Sequence, residues 1–313
     1  MLTHPEKLLF PADGITKGEL ARYYESVARA MLPHLAGRPV TLERFPAGIE
    51  RKGFIQKDIG RMAPEWLARV EVPKKGGSSV YALVDDERAL AWMTNLNTIT
   101  PHVWVSRVPA LDQPDCCVFD LDPSKEDDAA VRAAALLVRA LLEELGLESA
   151  PKTSGSKGFH LVVPLDGHAD SETVLRFSHA AGALLVKRHP DVFTQEFIKA
   201  DRQGRILIDT GRNAFGATFA AAYAVRPRAG APVSMPCTWA EIERGEVGPR
   251  TFTLRNVPAR VAEQGDAWVG LYARPFSLVP ALERLARELS EDELRSAHAA
   301  SVRKPKARKA PPR

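Results

Sequence analysis

The sequence predicts an α/β or α+β fold built on a mixed sheet flanked by helices. Three observations carry that expectation. Short apolar runs of strand length alternate with segments of helical periodicity. The two kinds of signal interleave along the chain rather than falling into separate blocks. And 313 residues, 45% hydrophobic and 26% charged, can bury a sizeable core without disulfide or metal staples.

A helix is expected over about 17–34. Thr16 and Glu19 make a capping box, and Leu20, Tyr23, Tyr24, Val27, Met31 and Leu32 follow at helical spacing. Arg38–Glu43 reads as a short strand, and further strands are expected at 102–106, 115–122, 159–164 and 205–209. A second helix, about 127–145, has Asp127 and Asp128 at its positive end and Gly146 to close it. A third covers about 171–188 and stops at His189-Pro190; a fourth, about 277–290, carries Leu278, Leu282, Leu285 and Leu289. Segments 60–100 and 213–275 scatter Pro, Gly and Trp without a clear period, and no internal repeat is visible.

The formal charge of +4 misleads. Six basic residues and no acid lie between Arg303 and Arg313, so the rest of the chain carries −2. A polyanion would have to be held by a local patch. The tail, 302–313, reads as disordered: a solubilising end, a linker stub or a nucleic-acid arm. Three cysteines, two of them adjacent (Cys116, Cys117) and one distant (Cys237), fit neither a disulfide framework nor a zinc module. No apolar run approaches ~18 residues and the N-terminus lacks a signal pattern, so a cytoplasmic protein with no membrane partner is expected.

Chemistry concentrates in three places. In Cys116–Asp122 the two-residue period sends Cys117, Phe119 and Leu121 to one face, and Asp120 and Asp122 to the other. Two adjacent carboxylates repel unless a cation lies between them, and hard oxygen donors suit Mg²⁺ or Mn²⁺. The motif alone also fits an edge strand with solvated acids, a dehalogenase-type phosphatase or a metal-dependent glycosyltransferase. Ile206–Asp209 is another apolar strand ending in an acid, with Arg212 three residues on. A third carboxylate could complete a two-metal site, or Asp209 simply starts a turn at Thr210-Gly211. The loop Thr153–His160 offers backbone N–H groups, the hydroxyls of Ser154 and Ser156, and Lys157; it suits phosphate oxygens but is no Walker A loop. His160 and His102, in the next and a preceding strand, are candidates for the same phosphates or hydrogen-bonded structural residues. Together, acids for metal and cations for a polyphosphate imply nucleotidyl or phosphoryl transfer.

With these motifs in view, the chain resembles the polymerase domain of bacterial ATP-dependent DNA ligase D, of the archaeo-eukaryotic primase superfamily. The resemblance rests on Glu6–Pro11, Gly14–Lys17, Arg38-Pro39, Val118–Pro123, Thr153–Gly158 with His160, and Asp209, and runs from about residue 2 to 290. It implies a primase-like mixed-sheet core and a single primase-polymerase domain over 1–300. Within it, about 1–105 would form an N-terminal part with 5′-phosphate and template contacts, and about 106–300 the catalytic part. It implies template-directed nucleotide addition at gapped or broken DNA in non-homologous end joining. Two Mn²⁺ or Mg²⁺ ions would be held by Asp120, Asp122 and Asp209, without zinc. The nucleotide (NTP or dNTP) would be held by His102, Ser154, Ser156, Lys157, His160 and Arg226, with Arg212 near a nucleotide-contacting position. Lys7 and Lys17 match lysines that bind a downstream 5′-phosphate; helix-start placement suits Lys17 to an anion. Phe54 matches an aromatic that stacks on the template base. His4 stands where some members carry Asn, and Ile55 where a second aromatic follows. Ku and a DNA ligase are the implied partners, and the nucleoid the implied location. No ligase nucleophile motif or phosphoesterase segment is recognisable, so a stand-alone or excised polymerase domain is expected. The competing readings are a de novo primase of the same superfamily, a D-x-D phosphatase and a non-catalytic module that bridges DNA ends.

Overall fold

The computed structural model describes residues 2–302; the basic stretch from 303 to 313 lies outside the described residues. The chain opens with a two-stranded antiparallel ribbon, β1 (Leu8–Phe10) and β2 (Ile15–Thr16). The tight turn between them uses Gly14 in the left-handed region. Helix α1 (Lys17–Leu35) starts at Thr16, whose hydroxyl accepts from the Glu19 N–H while the Glu19 carboxylate accepts from the Thr16 N–H, the reciprocal cap expected from the sequence.

A first sheet follows: β3 (Pro39–Arg44), β4 (Phe54–Gln56), β5 (Arg69–Lys74), β6 (Gly77–Leu83), then α2 (Glu87–Asn95) and β7 (Thr98–Val103). A second is built from β8 (Cys116–Pro123), α3 (Asp128–Glu144), β9 (Ala150–Thr153), β10 (Phe159–Pro164), α4 (Ser171–Arg188), β11 (Phe193–Thr194) and β12 (Ile206–Asp209). The chain then returns to the first sheet through β13 (Phe219–Ala220) and makes a small ribbon from β14 (Ala224–Val225) and β15 (Val233–Ser234). Helices α5 (Trp239–Glu243), α6 (Val257–Gln264), α7 (Val279–Glu288) and α8 (Glu291–Val302) complete it.

The first sheet runs β13-β7-β3-β6-β5, with β4 also on β3, and is antiparallel throughout. The second runs β11-β12-β8-β10-β9; β11 and β12 are parallel and every other pair is antiparallel, so this sheet is mixed, as expected. Buried residues of both sheets and of α1, α3 and α4 belong to one continuous hydrophobic core, in which Phe119 of β8 meets Phe177 of α4 edge-on. The strand expected at 102–106 instead begins at Thr98 and ends at Val103. Its apolar continuation Trp104–Ser106 is buried but irregular. The two segments that could not be read hold real elements: the β5–β6 hairpin and α2 in one, β13 to α6 in the other. Among the described residues no helix is long and apolar enough to cross a membrane.

Candidate active site

The site is built by register. Asp120 on β8 lies opposite Asp209 on β12 and, on its other side, opposite His160 on β10; His160 in turn faces Lys152 on β9. Four ionisable residues therefore cross the sheet in one row. The two-residue period places Asp122 on the face that Asp120 occupies. Past the point where β12 stops pairing, the Asn213 side chain continues the ladder: its Oδ1 accepts from Val118 N–H at 2.8 Å and its Nδ2 donates to Val118 O at 2.8 Å. That anchor fixes the short turn carrying Arg212.

Each carboxylate is engaged by a cation. Asp120 Oδ1 is 3.3 Å from His160 Nε2, and its Oδ2 is 3.3 Å from Arg212 Nε. Arg212 Nη2 also reaches Asp209 Oδ2 at 3.2 Å. Arg202, buried, binds Asp122 Oδ2 at 2.9 Å while its remaining N–H groups donate to the carbonyls of Glu196 and Phe197. Burial would raise the Asp120 carboxyl, but His160, with Arg212 and Lys152 behind it, holds it well below the carboxylate range. Burial, reinforced by Lys152, pushes His160 down to about 4, so its ring is neutral at pH 7. Asp209 is raised by burial and by the nearby Asp120, despite Arg212.

The loop after β9 packs directly onto this row. Ser154 Oγ accepts from the N–H groups of Ser156 and Gly158, both at 3.1 Å, which curls the loop and leaves the hydroxyl hydrogen to donate elsewhere. Gly158 lies against Leu121, the residue between the two acids of β8; a Cβ there would stand 1.7 Å from the Leu121 carbonyl oxygen. Gly155, at φ +63°, passes so close to Arg226 that a Cβ would be 2.5 Å from its Cγ. Lys157 extends to Glu126 at 3.3 Å, which also holds Arg250. From the first sheet, His102 on β7 pairs through Nε2 with Glu43 Oε2 at 2.9 Å. Burial lowers His102. Burial would raise Glu43, but the hydrogen bond with His102 outweighs it, so Glu43 is lowered as well. A neutral imidazole donating from Nε2 to a carboxylate is the consistent state.

All ten residues named from the sequence for metal and triphosphate line one cleft of about 230 Å³. Lys7, Lys17 and Phe54 lie apart from it. A family model for the LigD primase-polymerase domain matches residues 16–268. The chain belongs to the LigD primase-polymerase family. Members of this family are metal-dependent nucleotidyltransferases. The chain is 37% identical over 268 residues to the multifunctional non-homologous end joining protein LigD of Mycolicibacterium smegmatis, covering 85% of this chain and 35% of that protein. It is 30% identical over 276 residues to the bifunctional end-joining LigD of Bacillus subtilis, covering 87% of this chain and 44% of that protein. The chain thus spans less than half the length of these relatives. Its fold is similar to the polymerase domain of Mycobacterium tuberculosis Ligase D, solved in complex with DNA. The TM-score is 0.82 at 33% identity, covering 88% of this chain and 99% of that one.

Against this LigD primase-polymerase background, the donor set for metal is of the right kind. Carboxylate oxygens suit Mg²⁺ or Mn²⁺. Among the described residues, no three His, Cys, Asp or Glu side chains already form a cage; arginines and His160 occupy the carboxylates instead.

Lys17 is not the surface lysine that its place at a helix start suggests. It is 2% exposed, and its ammonium donates to Thr3 O, Thr3 Oγ1, Asn95 O and Asn95 Oδ1 at 2.8–3.3 Å. Burial, with Lys7 close by, lowers its pKa. Lys7 is half-buried, and its carbonyl accepts from the Lys17 N–H. Phe54, 46% exposed on β4, has the Arg44 guanidinium 5.1 Å from its ring centroid. Sequence reasoning missed Glu43, Lys152, Arg202 and Asn213. None belongs to a recognisable motif, and each has a hydrogen-bond partner 59 or more residues away in sequence.

Proposed function

We propose that this chain adds nucleotides, directed by a template strand, to 3′ ends at gapped or broken DNA in bacterial end joining. The carrying observation is the convergence of three carboxylates with Lys157, His160, His102, Arg212 and Arg226 in one cleft. Acids suit metal and the cations suit a polyphosphate. In this reading Asp120, Asp122 and Asp209 would hold two Mg²⁺ or Mn²⁺ ions. When bound, the ions lower the pKa of the primer hydroxyl and neutralise phosphate charge. Arg226 and the Ser154 hydroxyl hold the triphosphate, and Lys157 stabilises charge on the departing pyrophosphate. Neutral His160 donates to Asp120 and keeps it ionised, ready to ligate. His102, fixed by Glu43, closes the cleft from the other sheet. Lys7 serves a downstream 5′-phosphate, with Lys17 acting through the N-terminal segment it holds in place, and Phe54 serves a template base. Ku and a DNA ligase are the partners such an activity calls for.

The test is extension of a primer on a gapped, 5′-phosphorylated duplex with Mn²⁺ or Mg²⁺, using ATP or dATP. Asp120→Ala should lose extension by at least about 10²-fold while remaining folded. Extension retained in the variant would overturn the site. Tight binding to the gap by the wild type, without extension in either metal, would favour an end-bridging module instead.

A further inference from the structure

Tyr223 is the one tyrosine among the described residues with a left-handed backbone, at φ +65°. A residue with a Cβ is strained there, and such strain persists only where the surroundings over-determine it. The surroundings do. The Tyr223 N–H donates to Ser234 O at 2.8 Å, and its carbonyl accepts from Tyr23 OH at 2.8 Å. The ring is fully buried, and its hydroxyl donates to Asp266 Oδ1 at 2.6 Å. Asp266 is itself fixed by His34 Nε2 at 2.8 Å and by the Trp268 N–H at 3.0 Å. A half-buried carboxylate, a buried histidine and a buried phenol are thus assembled behind one strained residue, outside the lining of the cleft. Bulk packing does not require polar groups there.

What leaves this anchor is β14 and then Arg226. The strand is gripped on both sides: the Val225 N–H donates to Tyr24 OH at 3.2 Å, and Val225 O accepts from Thr100 Oγ1 at 2.6 Å. The Arg226 N–H donates to Pro232 O at 2.7 Å, and its stem lies against Gly155 of the phosphate loop. Its guanidinium faces the cleft, and its Nε is buried with no hydrogen-bond partner among the described residues. The side chain is therefore aimed by its backbone, not by local hydrogen bonds at Nε. We propose that Tyr223, anchored by Asp266 and Tyr23, is a positioning residue that sets Arg226 for the nucleotide triphosphate. The proposal rests on the reading of Arg226 as a triphosphate ligand.

A contact to the triphosphate made equally in the ground and transition states changes KM rather than kcat. Tyr223→Phe keeps the ring and removes only the link to Asp266. It should raise the KM for ATP in primer extension about tenfold, with kcat within about twofold. Tyr23→Phe removes the link to the Tyr223 carbonyl and should act in the same direction, so the proposal does not depend on one variant folding. The deciding measurement is a double-mutant cycle. In an Arg226→Ala background, Tyr223→Phe should add nothing to KM, because the group it aims is gone. An equal increase in both backgrounds, or no increase in either phenylalanine variant, overturns the proposal. An unchanged KM in Arg226→Ala alone removes the assignment of Arg226 itself, and with it the basis for Tyr223.

Discussion

At Gly158 a single added methyl group would have to enter the space of a carbonyl oxygen. That carbonyl belongs to Leu121, so relief must come from moving β8 between Asp120 and Asp122, or from lifting the loop that follows β9. Gly158→Ala should therefore destabilise the protein by about 1–3 kcal/mol and reduce extension more than tenfold. Thermal unfolding and single-turnover extension measure the two effects; a variant with normal activity would mean the loop moves freely. His102 gives a pH dependence. Its folded pKa is lowered, so below about pH 6.5 the unfolded chain binds a proton that the folded state resists. Stability from this group is present above that value and is lost on acidification. His102→Asn should lose less stability between pH 7 and pH 5 than the wild type in urea titrations; an equal loss would show that His102 titrates alike in both states. The acids of β8 were legible because alternation along a strand needs no knowledge of neighbours. Lys152 was not: only cross-strand register puts it behind His160.

The N-terminal segment, where a short ribbon meets α1 and α2, is held by the Lys17 ammonium together with Thr3–Asn95 and Gly18–Pro5 hydrogen bonds. Lys17 ties Thr3 to Asn95, the last residue of α2, so removing it strips the Thr3 and Asn95 carbonyls of a charged donor in a part-buried setting. Lys17→Ala should cost about 1–3 kcal/mol in stability as well as weaken the preference for a 5′-phosphorylated gap. Lys7→Ala should weaken the preference alone. Binding measured with and without the phosphate separates the two, and an unchanged preference in Lys7→Ala ends its assignment. Element by element, what could be read from the sequence followed the strength of local signals. Helix α1 carried a reciprocal cap and a clear apolar stripe, and β8, β10 and β12 were nearly continuous apolar runs. The β5–β6 hairpin is largely solvent-facing on β5, so its alternation is weak. Strand β7 contains Pro101, which argues against a strand until its neighbours are known. Strands of two residues, such as β13 and β14, have no local signature at all.

For the molecule as a whole, the α/β class and the mixed sheet were readable from interleaved periods. The division into two sheets was not, because β13 rejoins the first sheet only after the whole of the second has been made. That pairing joins Val103 to Phe219, and it brings His102 and Arg226 to the acids of the other sheet. Folding kinetics inherit this geometry. Loop-closure entropy must be overcome before so distant a pairing is rewarded, so it belongs among the late steps. Helices such as α1 and α3, which need only local contacts, have no such delay. After dilution from denaturant, the far-ultraviolet signal should recover first and nucleotide addition only with the slowest phase; simultaneous recovery would place closure of the β13–β7 seam early. Catalytic competence thus serves as a clock for the final seam, and a chain still emerging from the ribosome stays inert until residues past Arg226 are free to fold back.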